Sequence, residues 1–176
     1  VQHPSRFILV GTMNPEEGEL RPQLLDRMAL HTEISTIRDP GLRVEVMKLN
    51  IEFEDDPVGF RERFRRRQEA LVERILRAKE LMPKVAIPDH LYEVVARMCI
   101  NLNVDGHRPD IIIIKAASTL AALHGRVEVE AQDILDCAFL ALSHRTRNLG
   151  MDPPASEAQI REMFEEALHS VLGEEG

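Results

Sequence analysis

The stretch FILVGTMNPEEGELRPQLLDR, Phe7 to Arg27, decides between an all-helical chain and the edge of an α/β core. Phe7-Ile8-Leu9-Val10 is a short continuous apolar run, which suits a strand covered on both faces in a parallel sheet. Gly11-Thr12 ends it, so a strand is expected over Arg6 to Gly11. Asn14 stands at its exit, directly before Pro15. Glu16, Glu17 and Glu19 read as a solvated acidic loop. Pro22 opens a short predicted helix, Gln23 to Met28, with Asp26 and Arg27 near its end. Leu30 to Ile37, LHTEISTI, alternates loosely like a second strand. Two strands alone do not make a stable sheet. They are expected either to pair with chain outside this sequence or to be short and strained.

Beyond residue 40 the pattern is helical. Pro40 opens a helix through about Ile51. Asp56-Pro57 reads as an N-cap followed by proline at the first helical position. The next helix runs to Met82, where Pro83 stops it. Phe60, Phe64, Leu71, Ile75, Ala78 and Met82 form one stripe on it. At about 26 residues, or about 39 Å, it is expected to project from the body or to bridge two parts of it.

Pro88 opens a helix with Leu91, Val94, Val95, Met98 and Leu102 on one side. NVDGHRPD breaks the pattern, and Pro109 starts DIIIIKAASTLAAL, with Gly125 as its C-terminal cap. That helix is apolar nearly all round and is expected to be central and buried. Val129 to about Arg147 follows, with Ile134, Leu135, Ala138, Phe139 and Leu142 inward. GMDPPAS reads as a linker. Ser156 and Gln159 make a capping box. Ile160, Met163, Phe164, Ala167, Leu168 and Val171 then form a broad apolar face closed by Gly173, and this last helix is expected to bury against the bundle of preceding helices, with docking on a second subunit as the alternative.

The composition fits this organisation. The chain has 176 residues, 44% hydrophobic and 30% charged, an ordinary globular balance. Aromatics are 4% and tryptophan is absent, so the core must be built from aliphatic residues and Met. A net charge of -8 argues against general nucleic-acid binding, which needs Lys and Arg to displace phosphate counterions. The basic run Arg61 to Arg67 reads as a solvated helix face. Cys99 and Cys137 sit in apolar helical contexts and read as small buried hydrophobes. The seven histidines show no metal-ligand spacing, so no metal site is expected. No stretch approaches the ~20 apolar residues of a membrane span, and a cytoplasmic protein is the default reading.

Three quoted segments carry a resemblance. GTMNPEEGELRPQLLDR is similar to the segment of the magnesium-chelatase ATPase subunits that bears a first sensor and an arginine finger. NVDGHRPDIIIIKAASTLAALHGR resembles the helix start that bears their second sensor. VEVEAQDILDCAFLALSHRTR resembles the last helix of their small helical domain. These subunits are AAA+ ATPases, and the likeness spans roughly residues 6 to 148. It implies a mainly α chain: the C-terminal remnant of an AAA+ α/β core, with its last strands, followed by a helical lid bundle. The implied parts are the core end over 1–38, connecting helices over 39–85, the lid over 86–148, and a linker with a C-terminal helix over 149–176.

The resemblance also assigns roles. The first sensor maps onto Asn14, the arginine finger onto Arg27 beside Asp26, and the second sensor onto Arg108. Phosphoryl transfer is mostly positioning and charge stabilisation, for which guanidinium groups are suited. On their residues alone these positions admit other readings. Asn14 before Pro15 is also a turn signal. Arg27 could be a surface arginine, and Arg108 a loop residue paired with Asp105 or Asp110. His107 and His144 read as helix-terminus hydrogen bonders. Met28-Ala29 departs from the Phe-Gly usual in these subunits.

No G-x-x-x-x-G-K-[ST] occurs in the sequence, and no apolar strand ends in paired acids that would hold Mg²⁺. The chain is therefore expected to be the C-terminal part of a longer protein. ATP and Mg²⁺ are expected in that protein and none in this fragment. The implied partners are copies of the same subunit in a ring, a D-type chelatase subunit, and a large porphyrin-binding subunit. A MoxR-type or cobalt-chelatase-like ATPase with another client, and a non-hydrolysing D-type scaffold, are the alternatives.

Overall fold

A computed structural model of the chain describes residues 7–14, 18, 20–25, 27–145 and 147–174. The described chain is helical from Pro40 onward. In order come α1 (Pro22–Leu25), α2 (Pro40–Asp55), α3 (Pro57–Leu81), a 3₁₀ turn at Met82–Lys84, α4 (Asp89–Asn101), α5 (Arg108–Leu123), α6 (Ala131–Leu142) and α7 (Glu157–Glu174). Among the described residues none of the helices is long and apolar enough to cross a membrane.

Helix starts follow local chemistry. The Asp39 carboxylate accepts the Leu42 N–H at 2.7 Å with Pro40 behind it, and Asp56 accepts the Gly59 N–H at 2.9 Å ahead of α3. A Cβ on Gly59 would meet the Asp56 carboxylate, so a larger residue there would displace the capping side chain. Glu130 and Asp133 form a reciprocal capping box at α6. Ser156 and Gln159 do the same for α7, as the sequence predicts. Gly125, at φ 75°, ends α5. Arg126 N–H reaches back to the Ala121 carbonyl and Gly125 N–H to the Ala122 carbonyl, closing the helix in a Schellman motif.

The core lies between α4, α5, α6 and α7. The predicted α4 face is correct: Leu91, Val94, Val95, Met98 and Leu102 are all buried. From α7, Ile160, Phe164, Ala167 and Val171 are buried against α4 and α6. Helix α5 touches α3, α4 and α6, yet it is not buried all round. Ile113, Ala117 and Ala121 face the core, while Ile111 is 54% exposed. Its three neighbours still leave the stripe of Arg108, Ile111, Lys115 and Thr119 in water, whatever the composition of the helix.

Helix α3 is largely exposed, in keeping with a long helix expected to project or to bridge. Of its predicted stripe only Ala78 is buried, and Leu71 and Ile75 are exposed. Its C-terminal half leans on α5, where Arg74 Nε donates to the Leu123 carbonyl at 3.0 Å. Its N-terminal half pairs with α2, which buries no residue. Phe53, Phe60 and Phe64 stack there under the guanidinium of Arg63, which also pairs with Glu52. Arg65 reaches Glu62 and Glu69, so part of the basic run is paired along its own helix.

The two predicted strands do not form among the described residues. Phe7 to Gly11 and Leu30 to Ile37 run without a ladder, and pairing is limited to isolated bridges such as Ala86 with Glu128. A strand's N–H and C=O groups need a neighbouring strand, and nothing described here supplies one. The apolar run is uncovered, with Ile8 91% and Val10 84% exposed. The predicted helix from Gln23 to Met28 is shorter, ending at Leu25. Arg27 and Met28 continue as turns through N–H bonds to the Leu24 and Leu25 carbonyls.

Candidate functional site

Three of the four predicted site residues are described. Asn14 is exposed in the extended stretch that follows the apolar run. Arg27 is exposed in the turn after α1. Arg108 is the exposed first residue of α5. Asp26 lies outside the described residues, as do Glu16, Glu17 and Glu19.

The place of Arg108 has an electrostatic consequence. A helix N-terminus carries unpaired N–H groups and the positive end of the macrodipole. A guanidinium there is disfavoured by about 0.3–1 kcal/mol unless an anion approaches. Asp110, in the same first turn, supplies part of the compensation. The pairing of Arg108 with Asp105 has a competitor, because the Asp105 carboxylate accepts the N–H groups of Leu149 and Gly150 at 2.8 and 3.1 Å. His107 occupies the N-cap position, but its side chain makes no capping bond.

A second set of residues holds the Arg27 turn, and sequence reasoning credited it only in part. The Met28 carbonyl meets His144 Nε2 at 3.1 Å and accepts from Arg145 Nη2 at 3.1 Å. His144 is thus a helix-terminus hydrogen bonder, though its partner is 116 residues away. Arg145 was not singled out. Its guanidinium is anchored by Nε to the Ala141 carbonyl at 2.9 Å. The usable signal was a His-Arg pair just past the last turn of an apolar helix, where cations complement the negative helix end.

Cys99 and Cys137 are free and buried, as predicted. Burial pushes the Cys137 thiol up to about 12, with Asp133 and Asp136 adding to it. Burial also raises the Cys99 thiol, helped by Asp110. Both are protonated packing groups at neutral pH and poor nucleophiles. Among the described residues no group of three or more His, Cys, Asp or Glu could hold a metal ion. Asn14, Arg27 and Arg108 are amide and guanidinium donors, a set that fits phosphate oxygens rather than cations.

Residues 93–167 match the family model of the AAA lid domain. The chain is 45% identical over 165 residues to the magnesium-chelatase subunit ChlI of Synechocystis sp., covering 93% of this chain and 46% of that protein. It is 44% identical over 167 residues to a magnesium-chelatase subunit ChlI homolog of Methanocaldococcus jannaschii, covering 94% and 46%. It is 41% identical over 174 residues to the magnesium-chelatase 38 kDa subunit of Chlorobaculum tepidum, covering 99% and 43%. The chain therefore spans less than half the length of these relatives. A crystal structure of a candidate ATPase from Cytophaga hutchinsonii superposes with a TM-score of 0.54 at 16% identity, over 86% of this chain and 48% of that one. That likeness supports the fold.

Proposed function

We propose, on the premise that the chain is a relative of the magnesium-chelatase ATPase subunits and carries an AAA lid, that it is the C-terminal portion of an AAA+ motor subunit. The motor couples ATP hydrolysis to Mg²⁺ insertion into protoporphyrin IX held by a partner subunit. The observation that carries this reading is 41–45% identity to two such subunits and one homolog over more than nine-tenths of the chain.

In this reading each exposed polar residue does one job. Nucleotide with its Mg²⁺ supplies the transferable phosphoryl group, the metal neutralising charge on the phosphate oxygens. Asn14 orients the attacking water through its amide. Arg27, with Asp26 beside it, is presented to the nucleotide of a neighbouring copy in a homo-oligomeric ring, where its forked donors stabilise transition-state charge. Arg108 binds the nucleotide of its own subunit through its forked donors and makes lid closure depend on that nucleotide. The partners are a D-type subunit and a large porphyrin-binding subunit, in the cytoplasm.

A second reading keeps the ATPase and changes the client. It is favoured by the 44% identity to a relative described only as a homolog, as high as to those named outright. Full-length protein mixed with the partner subunits, ATP, Mg²⁺ and protoporphyrin IX separates the cases. ATP-dependent appearance of metallated porphyrin supports the proposal. ATP turnover without insertion moves the protein to another client, and no turnover at all makes it a scaffold.

A further inference from the structure

We propose that His144 and Arg145 are positioning residues for Arg27, and that their clamp on the Met28 carbonyl ties the finger turn to the lid. The inference rests on reading Arg27 as the arginine finger.

The clamp is a two-donor contact on one acceptor. The Met28 oxygen has two lone pairs, met by His144 Nε2 and Arg145 Nη2, each at 3.1 Å. Arg145 is only 4% exposed. A buried guanidinium without acceptors is costly, so it stays where acceptors are. The bond from Nε to the Ala141 carbonyl fixes its plane, and with it the direction of Nη2.

A second tie lies three residues on. His31 N–H donates to the Leu140 carbonyl at 2.9 Å, and His31 Nδ1 lies 3.4 Å from Ser143 Oγ. The His31 and His144 rings pack at 5.3 Å between centroids. Leu140 and Ala141 belong to the last turn of α6, whose carbonyls have no partner within the helix. The segment 28–31 and the Arg145 side chain therefore satisfy the end of α6 and are held by it.

The lever is short. Arg27 is one peptide from the clamped carbonyl, about 3.8 Å between Cα atoms. Helix α6 lies inside the lid match. A rotation of the lid therefore carries the Arg27 turn with it, and lid closure over one nucleotide is transmitted to the finger serving the next. The contact uses a backbone carbonyl, so it is indifferent to Met at position 28 in place of Phe.

The test uses the full-length ATPase. kcat and KM for ATP are measured for His144→Ala, Arg145→Gln, Arg145→Lys and Arg27→Ala, with amide exchange of residues 27–32 alongside. The expected result is a kcat roughly ten- to a hundredfold lower for His144→Ala and Arg145→Gln. KM for ATP stays unchanged, exchange at His31 speeds up, and Arg145→Lys recovers part of kcat. Core amides of α4 report whether Arg145→Gln still folds; if it does not, His31→Ala, which removes only the outer side-chain tie, is expected to give a smaller drop in kcat. Faster His31 exchange with full kcat would overturn the inference, as would unchanged exchange in His144→Ala. Normal turnover in Arg27→Ala would sink the finger reading and the clamp's purpose together. A defective Arg27→Ala beside fully active clamp variants would sink the clamp alone.

Discussion

Arg126 and Asp133 meet in a two-point ion pair, Nη1 to Oδ2 at 2.7 Å and Nη2 to Oδ1 at 2.6 Å. It joins the residue just beyond the Gly125 stop to the first turn of α6. The same Oδ2 accepts the Glu130 N–H at 2.9 Å, so one buried carboxylate both caps α6 and fixes the connection from α5. Burial by itself pushes this carboxyl up. The Arg126 and Glu130 donors outweigh it and hold the group below its ordinary value.

That arrangement predicts an acid-labile lid. A carboxyl whose folded value is depressed stabilises the fold fully above its unfolded value, and the contribution fades as pH falls toward the folded one. Asp133→Asn is expected to cost about 2 kcal/mol near neutral pH. The gap between wild type and variant in urea titrations should narrow as the pH falls below the ordinary carboxylate range. A gap that stays constant through the acid range would mean that the pair is not its source.

For Arg27 the prediction concerns rate rather than affinity. In the full-length protein Arg27→Ala should lower ATP turnover by ~10³ or more while nucleotide still binds. Doping the variant into wild-type protein should depress activity more than in proportion, because each variant subunit disables a neighbour. Strictly proportional loss in the mixing curve would place the finger elsewhere.

Arg108→Ala should weaken nucleotide-dependent assembly as well as turnover, since this side chain is assigned to its own subunit's nucleotide. Unaltered assembly and hydrolysis would refute the second-sensor role.

Ile160→Ala tests whether α7 is part of the lid. Ile160 is almost wholly buried, and α7 packs chiefly on α4. The truncation should cost about 2–5 kcal/mol in a single cooperative transition. Two separate transitions would show that α7 melts independently.

The uncovered run Phe7-Ile8-Leu9-Val10 predicts concentration-dependent self-association of the isolated chain. Ile8→Lys should shift its sedimentation toward monomer with no change in helix content. A wild-type chain that stays monomeric at high concentration would show that the run is not a sticky edge.

The helices from residue 40 onward were legible because their signals are local. Asp39-Pro40, Asp56-Pro57 and the Ser156/Gln159 box act within one turn, and the apolar spacing named the buried side of α4 correctly. The strands expected over Arg6 to Gly11 and Leu30 to Ile37 form no ladder among the described residues, since an apolar run states a preference while a ladder needs a second chain segment. Burial around α5 was misjudged at Ile111 for a related reason: an apolar stripe does not say how many neighbours will cover it.

By itself the sequence determined where the helices beyond residue 40 begin, within a residue or two, and the aliphatic core they share. Only the tertiary structure decided that the turn bearing Arg27 rests on the end of α6, through partners 116 and 117 residues from Met28. Caps and periodicity depend on residues within a turn or two of one another. A hydrogen bond to a distant carbonyl depends on how whole helices pack, and no short window of sequence contains that.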